Sequence, residues 1–387
     1  MDRREAGAMK KTSTLIILLV FVVTGLFLFK DSFGKKEETA KLPQSETITI
    51  VDNLDNKVTV PKKIDRIAVA GIFPFPSILS VFLGSAEKIV GMPPASMSAA
   101  KAGLLAELFP EILKADTSFT SGEDLNIEEL IKLKPDVVFY SSGNGEWTKM
   151  FAGAGISAVA ISPRKWDYDV LETYDKWIEL LSEMFPESAK AKQVSAYSRE
   201  TYDKIQNRVK NLKENERKKV LFLFQYDDQK IVTSGKHFFG QYWCDAVGAK
   251  NAAEEITVDN ANAKITMEQI YNWNPDVVFI TNFTPAMPDD IYSGKIGGRS
   301  WNNVKAAKTR DIYKMPLGSY RSYTPGADTP VTLLWLAQKV YPELFKDINI
   351  EKEVKDYYSK LYGIELTKEQ IKRMYSPGAK AAEGFKN

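Results

Sequence analysis

Cysteine and histidine are almost missing from this sequence, which has one of each, Cys244 and His237, in 387 residues. A single cysteine excludes an internal disulfide and any site built on two thiolates. A single histidine excludes metal sites built on two or three imidazoles, and it confines Ser-His-Asp or Cys-His chemistry to His237. An excess of one charge is lacking too, since 52 Lys and Arg against 50 Asp and Glu leave a formal net charge of +2. Nucleic-acid binders carry a basic excess or stripe; neither is present, and no nucleic-acid partner is expected. Glycine is absent from Tyr168 to Leu212, a stretch of about 45 residues. These scarcities remove much of the enzyme repertoire. No catalytic residue, resident metal or cofactor is expected.

What is present is the composition of a folded globular protein, 44% apolar and 26% charged, with a length that suits two domains better than one core. At the amino end, Lys10 and Lys11 precede Thr12 to Phe29, eighteen residues without a charge, and Lys30, Lys35 and Lys36 follow. Basic residues ahead of an apolar run of near-spanning length read as an export signal. Met9 is a candidate start. No cysteine follows the run, which removes the usual lipid-modified anchor, and no small-x-small cleavage pattern stands near Lys30. An uncleaved membrane anchor is therefore expected over residues 1–30, ahead of a cleaved signal, with a polar tether over 31–46. The Lys-flanked amino end places the bulk of the chain outside the cytoplasm.

Ile48 to Val60 alternates around Asn53-Leu54-Asp55-Asn56, a β-hairpin pattern. A short buried strand, Arg66 to Ala70, and a helix from Pro74 to Leu83 follow. The most informative feature is an internal repeat. Leu125 to Tyr140 reads LNIEELIKLKPDVVFY and Ile265 to Ile280 reads ITMEQIYNWNPDVVFI, with six of sixteen positions identical. Asn126 or Thr266 caps a helix, with Glu129 or Gln269 placed to complete a capping box. Apolar residues recur at helical spacing, Pro135 or Pro275 stops the helix, and a Val-Val-Phe strand apolar on both faces follows. Such strands belong in parallel sheets covered by helices. The unit occurring twice predicts two similar α/β lobes with mainly parallel sheets. Between the lobes, Leu171, Tyr174, Trp177, Ile178, Leu181 and Met184 form a helical stripe that Pro186 separates from a second, more charged helix. Two more helices, Pro330 to Tyr341 and Ile350 to Tyr362, precede a frayed tail over 376–387.

The hairpin with KKIDRIAVAG, the two LKPDVV-type units and PVTLLWLAQKVYPELF, in this order, resemble the helical-backbone solute-binding proteins of ABC importers, from about Ile48 to Met374. That family serves iron-siderophore, haem and cobalamin uptake, with relatives that take molybdate or tungstate. The resemblance implies an N-terminal lobe over 47–166, one long inter-lobe helix over 167–186, and a C-terminal lobe over 187–375. It also implies a ligand cleft between the lobes and a monomer that hands a small ligand to an ABC permease. A metal chelate is the expected ligand, with an oxyanion as the alternative. An exported chelatase-like enzyme or an adhesive surface protein are the rival classes.

In open parallel sheets ligands bind beyond the carboxyl ends of the strands. The loops there carry Phe73, Trp166, Tyr226, Phe283, Tyr320 and Tyr323, with Arg164 and Arg321 as forked donors for an anionic or oxygen-rich ligand. His237 reads as the start of a helix following a hairpin. Family members present a rim carboxylate to the permease, and Glu111 or its neighbour Glu107 is the match in the first lobe. The anchor is the most directly checked of these expectations. Full-length protein fractionates with membranes, whereas a chain beginning at Glu37 is soluble and folded; native protein wholly in the soluble exported fraction, with a new amino end near residue 30, shows cleavage instead.

Overall fold

The computed structural model describes residues 46–121, 124–259 and 263–385. The charge-free run Thr12 to Phe29 lies outside them. Among the described residues no helix is long and apolar enough to cross a membrane.

The hairpin pairs β1 (Thr47–Val51) with β2 (Lys57–Pro61) antiparallel. Asp52 closes its turn by accepting the N–H groups of Leu54 and Asn56, both at 2.9 Å, the local bonding that makes Asp a turn former. The first lobe's sheet runs β4 (Ile89–Gly91), β3 (Ile67–Ala70), β5 (Val137–Ser141), β6 (Ala158–Ile161), all parallel. Val69, Phe139 and Ile161 enter one core and Ala68, Val138 and Ala160 the other. Burial on both faces is why these strands read as unbroken apolar runs. Helices α1 (Phe75–Leu83), α2 (Pro94–Ala102) and α3 (Ile127–Lys132) pack in this lobe, as does the helix Gly145–Gly153, which buries Trp147 and Phe151.

Helix α4 (Val170–Met184) joins the lobes. It covers the whole stripe but starts a few residues later than the 167–186 implied by the resemblance, because Asp167 and Tyr168 adopt positive φ, 49° and 62°, which no α-helix accommodates. Asp169 then caps it by accepting the Glu172 N–H at 2.8 Å. All six stripe residues are buried. Leu171 packs in a second-lobe core while Tyr174, Trp177 and Met184 pack in a first-lobe core, so one rigid element is anchored in both. Helix α5 (Ala191–Val209) packs beside it.

In the second lobe β7 (Lys219–Tyr226), β11 (Val277–Ile280) and β12 (Ile312–Lys314) are parallel. β8 (Ile231–Thr233) and β10 (Ala263–Ile265) extend the sheet antiparallel, and β9 (Lys250–Asn251) lies parallel along β7. Helices α6 (Phe239–Ala246), α7 (Met267–Trp273) and α8 (Thr329–Val340) belong to this lobe, whereas α9 (Ile350–Tyr362) and α10 (Lys368–Met374) return to the first-lobe core, where Val354, Tyr357, Tyr358, Ile371 and Met374 are buried; the second lobe therefore does not run unbroken to residue 375.

The repeated unit occupies the same place in both lobes, as α3–β5 and α7–β11. Asn126 accepts the N–H groups of Glu128 and Glu129, both at 3.1 Å. Thr266 and Gln269 form a full capping box, whereas Glu129 turns to Lys132 at 2.6 Å. The aspartate of each Pro-Asp pair clamps the neighbouring strand. Asp136 Oδ2 accepts the N–H groups of Asp65 and Arg66, both at 2.8 Å, and Asp276 Oδ2 accepts that of Lys219 at 2.8 Å. One expectation fails outright. Residues 376–387 are not frayed as far as they are described: Ala379–Ala382 form a 3₁₀ turn against α2, and Ala381 and Ala382 are buried.

Two stability predictions follow from these contacts. Asp136→Ala removes the acceptor of two exposed N–H groups, which water then reaches, and lowers stability by about 0.5–1.5 kcal/mol in urea, while Asp136→Asn, which keeps an acceptor oxygen, loses less; equal losses contradict the clamp. Asp175 on α4 accepts the Ser198 hydroxyl at 2.7 Å. It lines a groove with Glu172, Lys176, Glu179 and Arg199. Burial pushes its carboxyl up to about 6, against the Ser198 and Ser195 hydroxyls and with help from Glu179 and Asp169. The fold therefore prefers the protonated form, and this stability, complete below about pH 4, is lost as pH rises through 6. Asp175→Asn is accordingly more stable than wild type at pH 7.5, by about 1–3 kcal/mol, and nearly equal below about pH 4. A pH-independent difference in melting temperature contradicts the assignment.

Candidate functional site

Three strand-end loops of the second lobe are tied into one surface by their own polar groups. After β11, Thr281 donates its hydroxyl to Phe224 O at 2.8 Å, and Asn282 Nδ2 donates to Met315 O at 2.8 Å and Pro316 O at 2.9 Å. After β12, Ser319 donates its N–H and its hydroxyl to Asp328 Oδ2, both at 2.9 Å, while the Tyr358 hydroxyl donates to Oδ1. Burial pushes the Asp328 carboxyl up, opposed by the Tyr358 and Ser319 bonds. Only glycine fits at 318, since a Cβ there would meet the Asp328 carboxylate at 2.4 Å. Gly318 O in turn accepts the N–H of Leu104 at 2.8 Å, and Ala99 of α2 sits in a second-lobe core. The first lobe thus closes directly onto the loop that carries Tyr320 and Arg321.

Arg321 is 1% exposed. Nε donates to Ala381 O at 2.9 Å and Nη2 to Glu383 O at 2.9 Å, both in the C-terminal segment. Nη1 donates to Ala95 O of the first lobe at 3.3 Å and to the Tyr320 hydroxyl at 3.1 Å. The guanidinium lies 5.4 Å from the ring centroids of both Phe283 and Tyr320, within cation–π range. Phe385 stands against Phe283 at 4.6 Å, Phe224 at 6.2 Å and Phe73 at 6.3 Å. Ser96 pins the Phe73 loop by donating its hydroxyl to Phe73 O at 2.7 Å. Lys314 is buried nearby and donates to Thr284 O at 2.6 Å and Ala286 O at 2.8 Å. Burial pushes its ammonium down to about 7, with Asp290 opposing and Arg321 reinforcing the shift.

Of the residues singled out in the sequence, Phe73, Phe283, Tyr320 and Arg321 converge here, but Arg321 is enclosed rather than open to the cleft. Tyr226, Tyr323, Trp166 and Arg164 stand apart from that cluster. A register shift where β7 pairs with β8 accompanies the packing of Tyr226 in the core on the opposite face, where its hydroxyl accepts from Trp301 at 2.9 Å. Tyr323 lies beneath, against Phe222, Phe224 and Phe238. Trp166 packs half-buried on a first-lobe core with Lys165 over its ring, and Arg164 is exposed. His237 is exposed just before α6. Glu107 is paired with Arg373 at 2.6 Å. Glu111 accepts the Ala86 N–H at 2.9 Å and the Ser85 hydroxyl at 3.2 Å; burial disfavours its charge, but these bonds prevail and hold it below the usual carboxylate range. Phe224 and Phe385 were the aromatics that the sequence reading missed. Phe224 reads as one more apolar residue of a buried strand, and Phe385 lies in a polar tail.

The comparisons agree with this architecture. The periplasmic binding protein family profile matches residues 75–317. A solved periplasmic solute binding protein from Veillonella parvula superposes with a TM-score of 0.75 at 30% identity, covering 86% of this chain and 97% of that one. The molybdate-binding protein MolA of Haemophilus influenzae is 27% identical over 81% of this chain and 90% of its own length. The iron-uptake system-binding protein of Bacillus subtilis is 22% identical over 79% of this chain and 90% of its own. The chain belongs to the periplasmic binding protein family, as an extracytoplasmic substrate-binding protein of the helical-backbone class that serves ABC importers.

Proposed function

We propose that the protein captures an anionic organic metal chelate, of the iron-siderophore, haem or corrinoid kind, and delivers it to an ABC permease. One observation carries the reading: a buried guanidinium, Arg321, lies against the rings of Phe283 and Tyr320 where the lobes meet, with Phe224 packed on Phe283 behind them. The guanidinium offers a fork for a carboxylate or other paired oxygens, and aromatic walls offer rigid apolar contact for a ring-rich body. A bare oxyanion gains nothing from phenyl walls. Buried Asn282 Oδ1 and Ser322 Oγ, without partners among the described residues, lie on the same strand-end loops and add polar atoms. The iron-uptake relative supports this reading. Molybdate is the second reading, favoured by the Haemophilus relative and by Lys314 as a second cation beside Arg321.

In this reading the run Thr12 to Phe29 holds a monomeric protein at the extracytoplasmic face of the cell membrane. Glu107, exposed and shared with Arg373, is the first-lobe docking carboxylate, since Glu111 is committed to Ser85 and Ala86. The test titrates hemin and sodium molybdate separately into wild type, Arg321→Ala and Arg321→Lys at two salt concentrations, with His237→Ala as control. Removing one partner of a buried charge contact costs about 2–5 kcal/mol, so hemin affinity falls roughly thirtyfold or more in Arg321→Ala and also falls in Arg321→Lys, while His237→Ala is near neutral. Tight molybdate binding without hemin binding moves the second reading forward; hemin binding indifferent to Arg321 places the site elsewhere.

A further inference from the structure

The C-terminal segment fills the place that the proposed ligand needs. Two of its backbone carbonyls, at Ala381 and Glu383, take Nε and Nη2 of Arg321, both at 2.9 Å. Its terminal described ring, Phe385, enters the aromatic walls against Phe283, Phe224 and Phe73, so that it touches both lobes. Between these contacts Gly384 has a φ of +76° and passes so close to α2 that a Cβ would stand 2.2 Å from the Ser98 hydroxyl oxygen. The segment is attached after α10 by Ser376-Pro377-Gly378, and only the short turn Ala379–Ala382 gives it regular structure. Its hold on the cleft is thus a few side-chain and carbonyl contacts at the end of a tether.

We propose that this segment is a tethered pseudo-ligand: residues 376–385 occupy the Arg321 subsite in the unliganded protein, and the captured solute displaces them. This rests on the cleft being the ligand site, and it sharpens the ligand's chemistry. The segment presents paired oxygens to the guanidinium with a flat aromatic body beside them, so the solute that replaces it carries both, as a carboxylate-bearing conjugated chelate does and molybdate does not. Displacement lowers the apparent affinity by the fraction of molecules whose cleft is open. Loosening the segment therefore tightens binding, which no fixed wall of the site does.

The experiment uses the full-length chain and its Phe385→Ala variant, both checked for the same unfolding temperature. Hemin is titrated into each, and hydrogen exchange of the amides of residues 379–385 is followed with and without hemin. Phe385→Ala binds hemin about tenfold more tightly, and hemin speeds exchange of those amides in wild type. Weaker hemin binding by Phe385→Ala, with the segment still protected in the complex, makes it a permanent wall and overturns the proposal. A second probe is independent of the solute's identity: a synthetic peptide of residues 376–387. It binds Phe385→Ala saturably and at least tenfold more weakly to wild type, whose own segment competes. Peptide that binds neither chain, or both equally, overturns the proposal; peptide binding as expected with no hemin binding keeps the pseudo-ligand and discards the chelate reading.

Discussion

A guanidinium taken out of water must have acceptors for its N–H groups, because an uncompensated buried charge costs several kcal/mol. Arg321 meets that demand by drawing on three separate parts of the chain: Ala95 in the first lobe, Tyr320 beside it, and the carbonyls of Ala381 and Glu383. The closeness of the lobes, the path of the C-terminal segment and the packing of Phe385 all answer to this one requirement. The loop that presents Arg321 is held by a second buried charge site, Asp328 with Ser319 and Tyr358. Position and polarity are thus fixed before any solute arrives, which is how a binding site lowers the ordering cost of association.

The scaffold beneath uses one device twice. A capped helix, a Pro-Asp stop and a strand buried on both faces recur, and each aspartate clamps the backbone where the neighbouring strand begins. Helix α4 then enters a core in each lobe. A connection of this kind resists large hinge opening, so solute entry falls to smaller changes at the lobe contact and to the C-terminal segment.

Much of this was legible in the sequence because it is local. The repeat gave both helices and both strands, the Leu171 to Met184 stripe gave the inter-lobe helix, and the Asn53 to Asn56 turn gave the hairpin. Four of the eight aromatic and arginine positions converge at one place, because strand-end loops in parallel sheets do gather there. The others were lost to features with no local signature. A register shift between β7 and β8 accompanies the packing of Tyr226 on the far face, and Tyr323 packs one layer below the surface. The tail was misread for a different reason. Its composition is polar and small, and its order comes from Arg321 and three phenyl rings far away in the chain.

The central claim is that the cleft around Arg321 receives a chelate in the living cell. Native mass spectrometry of the protein purified in mild detergent from its own host measures this most directly. The account predicts a copurifying adduct with the mass and metal isotope pattern of an organic chelate, present on wild type and lost from Arg321→Ala. An adduct with the mass of a bare oxyanion, or a chelate retained undiminished by Arg321→Ala, contradicts it.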